Sequence, residues 1–121
     1  MIQLKRVYEQ PGPRDGMRIL ADRVWPCGIT KEAAHIDEWR KDFAPSTALR
    51  RWFKHDPEKW SEFRRRYQKE LGNDPTMEEL RRLAALGKRN RITLVYGAAD
   101  KRHNQAVVLK ELLGELIYPR P

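Results

Sequence analysis

Apolar and polar positions change rhythm several times along this chain, and each change marks an element. Residues 2–8, IQLKRVY, begin with an apolar–polar alternation, the period of a half-buried strand. EQPGPRDG at 9–16 holds two prolines and two glycines and reads as a loop. MRILADRVW at 17–25 predicts a second extended segment, closed by Gly28. TKEAA at 30–34 predicts a short helical turn with Thr30 as its cap. IDEWRKDFAP at 36–45 is ambiguous: Ile36, Trp39 and Phe43 fit a helix that Pro45 ends, and a strand fits as well.

The middle of the chain has helical spacing. Ser46 can cap TALRRWFKH, in which Leu49, Trp52 and Phe53 share a face. Asp56 and Pro57 restart the chain as N-cap and first helical residue. Trp60, Phe63, Tyr67 and Leu71 then form one apolar stripe, which Gly72 ends. TMEE at 76–79 has the form of a capping box. It opens a helix with Met77, Leu80, Leu83 and Ala84 inward, stopped at Gly87. Residues 92–96, ITLVY, are apolar or β-branched without a break, as a strand covered on both faces requires. A small-residue turn follows, and HNQAVVLKELLGEL from His103 predicts a last helix on Leu109, Leu112, Leu113 and Leu116. This order predicts one α/β domain over residues 1–121, with a small, mostly parallel sheet flanked by helices.

Composition narrows the partners. The 121 residues suffice for one core without disulfide staples. Charged residues are 35% against 40% apolar, so long helical faces must be solvated. The net charge of +8 and pI near 9.9 favour anionic partners: nucleic acid, phosphorylated metabolites or acidic proteins. Solvated Lys and Arg on exposed helix faces account for the same total without any partner. One cysteine excludes an intrachain disulfide and a Cys-based zinc site. His35, His55 and His103 lack metal-ligand spacing, so no metal is expected and no cofactor is indicated. MIQLKRVYEQ is not a signal peptide, and no stretch approaches the roughly 18 apolar residues of a membrane span. The expectation is a cytoplasmic protein with no membrane partner.

Four stretches carry candidate chemistry. In VYGAADKRHNQAV, 95–107, a buried strand runs through a small-residue turn into a helix. In open α/β sheets, ligands sit at the carboxyl ends of strands, and free N–H groups at a helix start favour anions. Asp100 can equally be only the helix cap. In DRVWPCG, 22–28, Asp22 and Arg23 follow a predicted strand, and Arg offers a planar fork for carboxylate or phosphate. The alternative is an Asp22–Arg23 ion pair with Trp25 as a core plug. Arg23 or a histidine from elsewhere could activate Cys27, but a single cysteine in a cytosolic chain is more often a small apolar residue. In APSTALRRWFKHDPEKW, 44–60, Ser46 and Asp56 cap while the aromatics pack. The basic runs Arg64–Arg66, Arg81–Arg82 and Lys88–Arg91 interleave with glutamates that can pair at i,i+4, as Glu62–Arg66 and Glu78–Arg82 do.

Taken together, LADRVWPCGITKE, the DFAPS–LRRWFKHDP stretch and ITLVYGAADKRHNQAVVLKELL resemble the bacterial YeaO-like family, a domain of unknown function. The resemblance covers residues 3–113. It points to Arg18, Asp22, Arg23, Trp25, Pro26 and Gly28, then Ala44, Pro45, Ser46, Arg50, Trp52, Phe53, His55, Asp56 and Pro57, then Tyr96, Asp100, His103 and Asn104. The chain departs from the family pattern at Cys27, where the pattern usually has Arg.

The expected pocket lies at the carboxyl edge, with Arg18, Asp22, Arg23 and Trp25 facing Asp100, His103 and Asn104. Ser46, Arg50 and His55 join as ligand-binding candidates. Arg18 and Arg23 would clamp a small anionic ligand bearing phosphate or carboxylate, with His103, Asp100 or Asp22 for acid–base work. The alternatives are a weak nucleic-acid module using Arg64, Arg65, Arg66, Lys88 and Arg89, or an interaction domain without chemistry.

Overall fold

The structure is a computed structural model and describes residues 1–119. Four strands form one sheet in the order β1-β4-β2-β3: β1 Ile2–Arg6, β2 Met17–Leu20, β3 Glu38–Trp39 and β4 Ile92–Tyr96. Every pairing is parallel, with Ile2 opposite Ile92, Ile19 opposite Leu94 and Leu20 opposite Trp39. The helices are α1 Lys31–Ala34, α2 Thr47–Phe53, α3 Trp60–Leu71, α4 Thr76–Gly87 and α5 Gln105–Ile117. The α/β expectation holds, and the sheet is parallel throughout the described residues.

Alternation along the strands separates two unlike faces. Ile2, Ile19, Ile92, Leu94 and Tyr96 point to the side covered by α2–α5, where they meet Phe63, Tyr67, Leu80, Leu109 and Leu113. Leu20 and Val95 point the other way, onto Val7, Ala34, Trp25 and Trp39. Among the described residues, that second face has only α1 and loops over it. All five residues of β4 are buried, which is why its sequence never alternates. Each large side chain taken fully from water contributes roughly 1.5–3 kcal/mol, so the helical face dominates stability.

Three expected elements are shorter than their patterns. The first strand stops at Arg6, where the backbone turns and Glu9 accepts from the Arg6 N–H at 2.6 Å. The second leaves the sheet at Leu20, because Asp22 is drawn to β4's end. The ambiguous 36–45 segment becomes the two-residue β3 and a 3-10 turn, Lys41–Phe43.

Caps account for the helix boundaries. Thr30, Ser46 and Asn104 accept from the N–H groups of Ala33, Leu49 and Val107. Asp56 and Pro57 open a 3-10 turn, Pro57–Lys59, that leads into α3. The expected capping box at 76–79 does not form: Thr76 is already helical and Pro75 occupies the cap without a side-chain bond. The last helix begins at Gln105 rather than His103, and its cap is Asn104, not Asp100. No helix among the described residues is long and apolar enough to cross a membrane.

Candidate functional site

The carboxyl ends of β2 and β4, the segment after β3 and the first turn of α5 enclose a cleft of about 230 Å³. Asp22, Arg23, Arg50, His55, Asn104 and Gln105 line its polar part, and Phe53, Phe63, Ala98 and Pro45 its apolar part. Parallel strands place all their carboxyl ends on one side, which is how residues 22, 45, 97 and 104 meet.

Asp22 is the most constrained group there. Its Oδ2 accepts the Gly97 N–H at 2.9 Å, and its Oδ1 accepts from the Gln105 side-chain amide. Burial raises its carboxyl to about 6, against the opposing influence of the Gly97 N–H, Arg50 and Gln105. The alternative Asp22–Arg23 ion pair is absent among the described residues. Arg23 instead turns toward the segment after β3, donating from Nε to the Pro45 carbonyl at 3.0 Å and from Nη2 to Ala44. That leaves its Nη1 without a protein partner among the described residues. Arg50 is exposed and, among the described residues, has no side-chain hydrogen bond or ion pair. His55 stands at the rim on two consecutive left-handed residues, Lys54 at φ 48° and His55 at φ 55°. Its ring lies 6.2 Å from that of Phe53.

Asn104 is buried. Its Oδ1 caps α5 through Val107, and its Nδ2 donates to the Asp100 carbonyl. Asp100 and His103 form a carboxylate–imidazole pair, with Nδ1 2.9 Å from Oδ2. The N–H of Arg102 first, then the His103 ring, hold the Asp100 carboxyl below its usual range. This pair does not line the cleft. It sits behind Trp60, whose ring meets His103 edge-on at 5.2 Å and also packs on Phe53 and Phe63.

Besides Asp100 and His103, three further residues expected at the pocket stand elsewhere. Arg18 is buried on the loop-covered face, where Nη1 pairs with Asp15 at 2.6 Å while Nε and Nη2 donate to the Ala34 and His35 carbonyls. Its donors hold the crossover loop and the end of α1, so they are spent within the fold. Trp25 donates from Nε1 to the Ile29 carbonyl at 2.8 Å and meets Trp39 edge-on at 5.4 Å. Ser46 caps α2 and also donates to Glu70, beyond α2 from the cleft. Conversely, sequence reasoning missed Gln105 and the Gly97 N–H. Gln105 carried no signal because the periodicity starts the helix two residues early; Gly97 was visible only as a small residue after a strand.

A family model described as the inactive DUF488-N3 subclade matches residues 1–119. The chain belongs to this YeaO-like family of unknown function. It is 42% identical over 115 residues to the uncharacterised protein YeaO of Escherichia coli, covering 95% of this chain and 98% of the relative. It is 42% identical over 112 residues to an uncharacterised protein of Mycobacterium tuberculosis, covering 93% and 92%. No solved structure matches it.

Elsewhere on this YeaO-like chain, the Arg64–Arg66 run and Arg82 are tied to carboxylates. Arg64 pairs with Glu111, Arg65 and Arg66 with Glu62, and Arg82 with Glu79 rather than Glu78. Arg66 also lies 4.3 Å over the Trp52 ring. Lys88 and Arg89 remain exposed. Cys27 is an exposed free thiol. Among the described residues no group of three His, Cys, Asp or Glu could hold a metal ion.

Proposed function

We propose that the protein binds a small anion bearing phosphate or carboxylate in the cleft between Arg23, Arg50 and the first turn of α5. The observation that carries this reading is Arg50. Its guanidinium has no protein partner among the described residues and, though exposed, lines the same partly enclosed cleft as Arg23, whose Nη1 is also free. Planar forks of this kind match carboxylate and phosphate oxygens. The N-terminal turn of α5 adds N–H groups and a partial positive charge at the same wall. Phe53 and Phe63 supply an apolar floor, and the small volume limits the ligand to metabolite size. Binding without turnover is the form of this reading that agrees with the family model's description as inactive. The carboxylate partners of Arg64, Arg65 and Arg66 weigh against a nucleic-acid surface there.

The test is calorimetry and thermal shift with inorganic phosphate, sulfate, acetate and short alkyl phosphates, on the parent and on Arg50→Ala and Arg23→Ala. A charge-assisted hydrogen bond contributes roughly 1.5–3 kcal/mol, so each variant should bind about tenfold or more weakly. Indifference of the parent to the whole panel, or equal response of parent and both variants, overturns the reading.

A further inference from the structure

We infer that the cleft's ligand is bifunctional: an anionic group held by Arg23 and Arg50, and beside it a hydroxyl or ammonium donor received by Asp22. The class is that of hydroxy acids, amino acids and polyol phosphates. This rests on the cleft being the anion site proposed above.

The inference comes from the hydrogen-bonding capacity of Asp22. An ionised carboxylate is an acceptor only, with about four lone-pair positions. The protein fills one on each oxygen, from Gly97 and from Gln105. The remaining capacity belongs to a group that lines the cleft. Arginine is the opposite: five donors and no acceptor. A plain anion satisfies the arginines and sets its own acceptors against those of Asp22. A ligand with a donor next to its anionic group satisfies both.

Asp22 also behaves as a carboxylate short of donors. Burial pushes it up further than Gly97, Arg50 and Gln105 bring it down. A third donor from the ligand supplies what the protein leaves out. Where a buried polar group is built to receive a ligand hydroxyl, the analogue without it is rejected by a large factor. The charged and titratable groups around Asp22 are Arg23 on its own segment, Arg50 and His55 from α2 and the turn after it, and Tyr67 from α3. Burial keeps Tyr67 protonated, and its hydroxyl is taken by the Phe43 carbonyl. Asn104 and Gln105 of α5 are neutral. His55 is the imidazole that lines the same cleft, and it needs its own control.

The experiment compares matched ligands by calorimetry at pH 7.5: glycerol 3-phosphate against propyl phosphate, lactate and alanine against propionate. The expected result is at least about tenfold tighter binding of the donor-bearing member of a pair. The preference should shrink below pH 6, as Asp22 takes a proton, and persist in His55→Gln. In Asp22→Ala it should be lost while propyl phosphate still binds. Lactate and alanine separate a hydroxyl from an ammonium donor, and either one preferred over propionate upholds the inference. Equal binding within every pair by the parent protein overturns it and leaves the anion site standing. A parent that binds no member of any pair overturns both. The parent comparison decides even where Asp22→Ala does not fold.

Discussion

Gly97 and Asp22 meet at hydrogen-bond range: the backbone N–H of Gly97 donates to Asp22 Oδ2 at 2.9 Å, and a Cβ at position 97 would stand 2.8 Å from the same oxygen. It would also stand 3.3 Å from Pro26. Glycine is therefore favoured at the end of β4 by close approach, with no unusual backbone angle involved.

Gly97→Ala should displace the Asp22 carboxylate and cost roughly 1–3 kcal/mol, the range of overpacking. Urea denaturation at pH 7 measures it. The cost should fall when Asp22 is also alanine, because the closest contact is then gone; an unchanged cost in the double variant places the strain elsewhere.

Asp22→Asn should raise stability above pH 6. The folded carboxyl is raised to about 6, so between the usual aspartate value near 4 and that point the native state holds more protons than the unfolded chain. Stability from this group is present in full below the lower value and lost as pH rises through the window. A two-unit rise is worth up to about 3 kcal/mol; asparagine, which keeps the Gly97 hydrogen bond, should recover about 1–2 kcal/mol of it. Melting curves at pH 4 and pH 8 test the sign: the gain belongs at pH 8 and should vanish at pH 4.

Arg18→Met should be strongly destabilising and leave the cleft intact. It strips the buried Asp15 of one of its two cationic partners, Lys5 remaining at 3.0 Å. Breaking a buried pair from one side costs about 3–5 kcal/mol. Burial raises the Asp15 carboxyl, but the Gly12 N–H, Lys5 and Arg18 outweigh it and hold it below the usual value. Its contribution is thus present above the ordinary aspartate value and lost as pH falls through the lower folded one. Loss of stability concentrated below pH 4 in the parent, and blunted in Arg18→Met, is the expected profile.

Lys54→Gly should stabilise. Lys54 ends α2 at φ 48°, a left-handed position where glycine is the usual occupant, and its side chain is exposed. The gain should be roughly 0.5–1 kcal/mol, the excess of steric relief over backbone entropy. A lower melting temperature would show that the lysine side chain contributes more than its backbone costs.

How legible these features were depends on whether the signal was local. The β4 run and the Trp60, Phe63, Tyr67 and Leu71 stripe carry their burial in their own spacing, and Ser46 carries its cap in its own chemistry. Arg18 does not: in a four-residue strand nothing local says which face a charge takes, and its partner Asp15 comes from a loop. Arg23 and Asp22 read as a pair because they are adjacent, yet each is claimed by a backbone from another element. Gln105 entered the cleft only when the α5 cap moved to Asn104, a shift too small for periodicity to detect. The cleft as a meeting of strand ends was predictable from the parallel order; its membership was set by long-range hydrogen bonds.

The strand order has a consequence in time. Among the described residues β4 is the last strand in the sequence and the only one that pairs with both β1 and β2, across registers such as Ile2–Ile92 and Ile19–Leu94. Before residues 92–96 leave the ribosome, β1 has no partner and β2 has only the two-residue β3. The apolar faces of β1, β2, α3 and α4 must wait through most of synthesis for the strand that joins them. Closing so long a loop is entropically costly, and sheets built on such distant pairings fold slowly. The central strand therefore acts as a late keystone, and the nascent chain is most exposed to aggregation in the interval just before it appears.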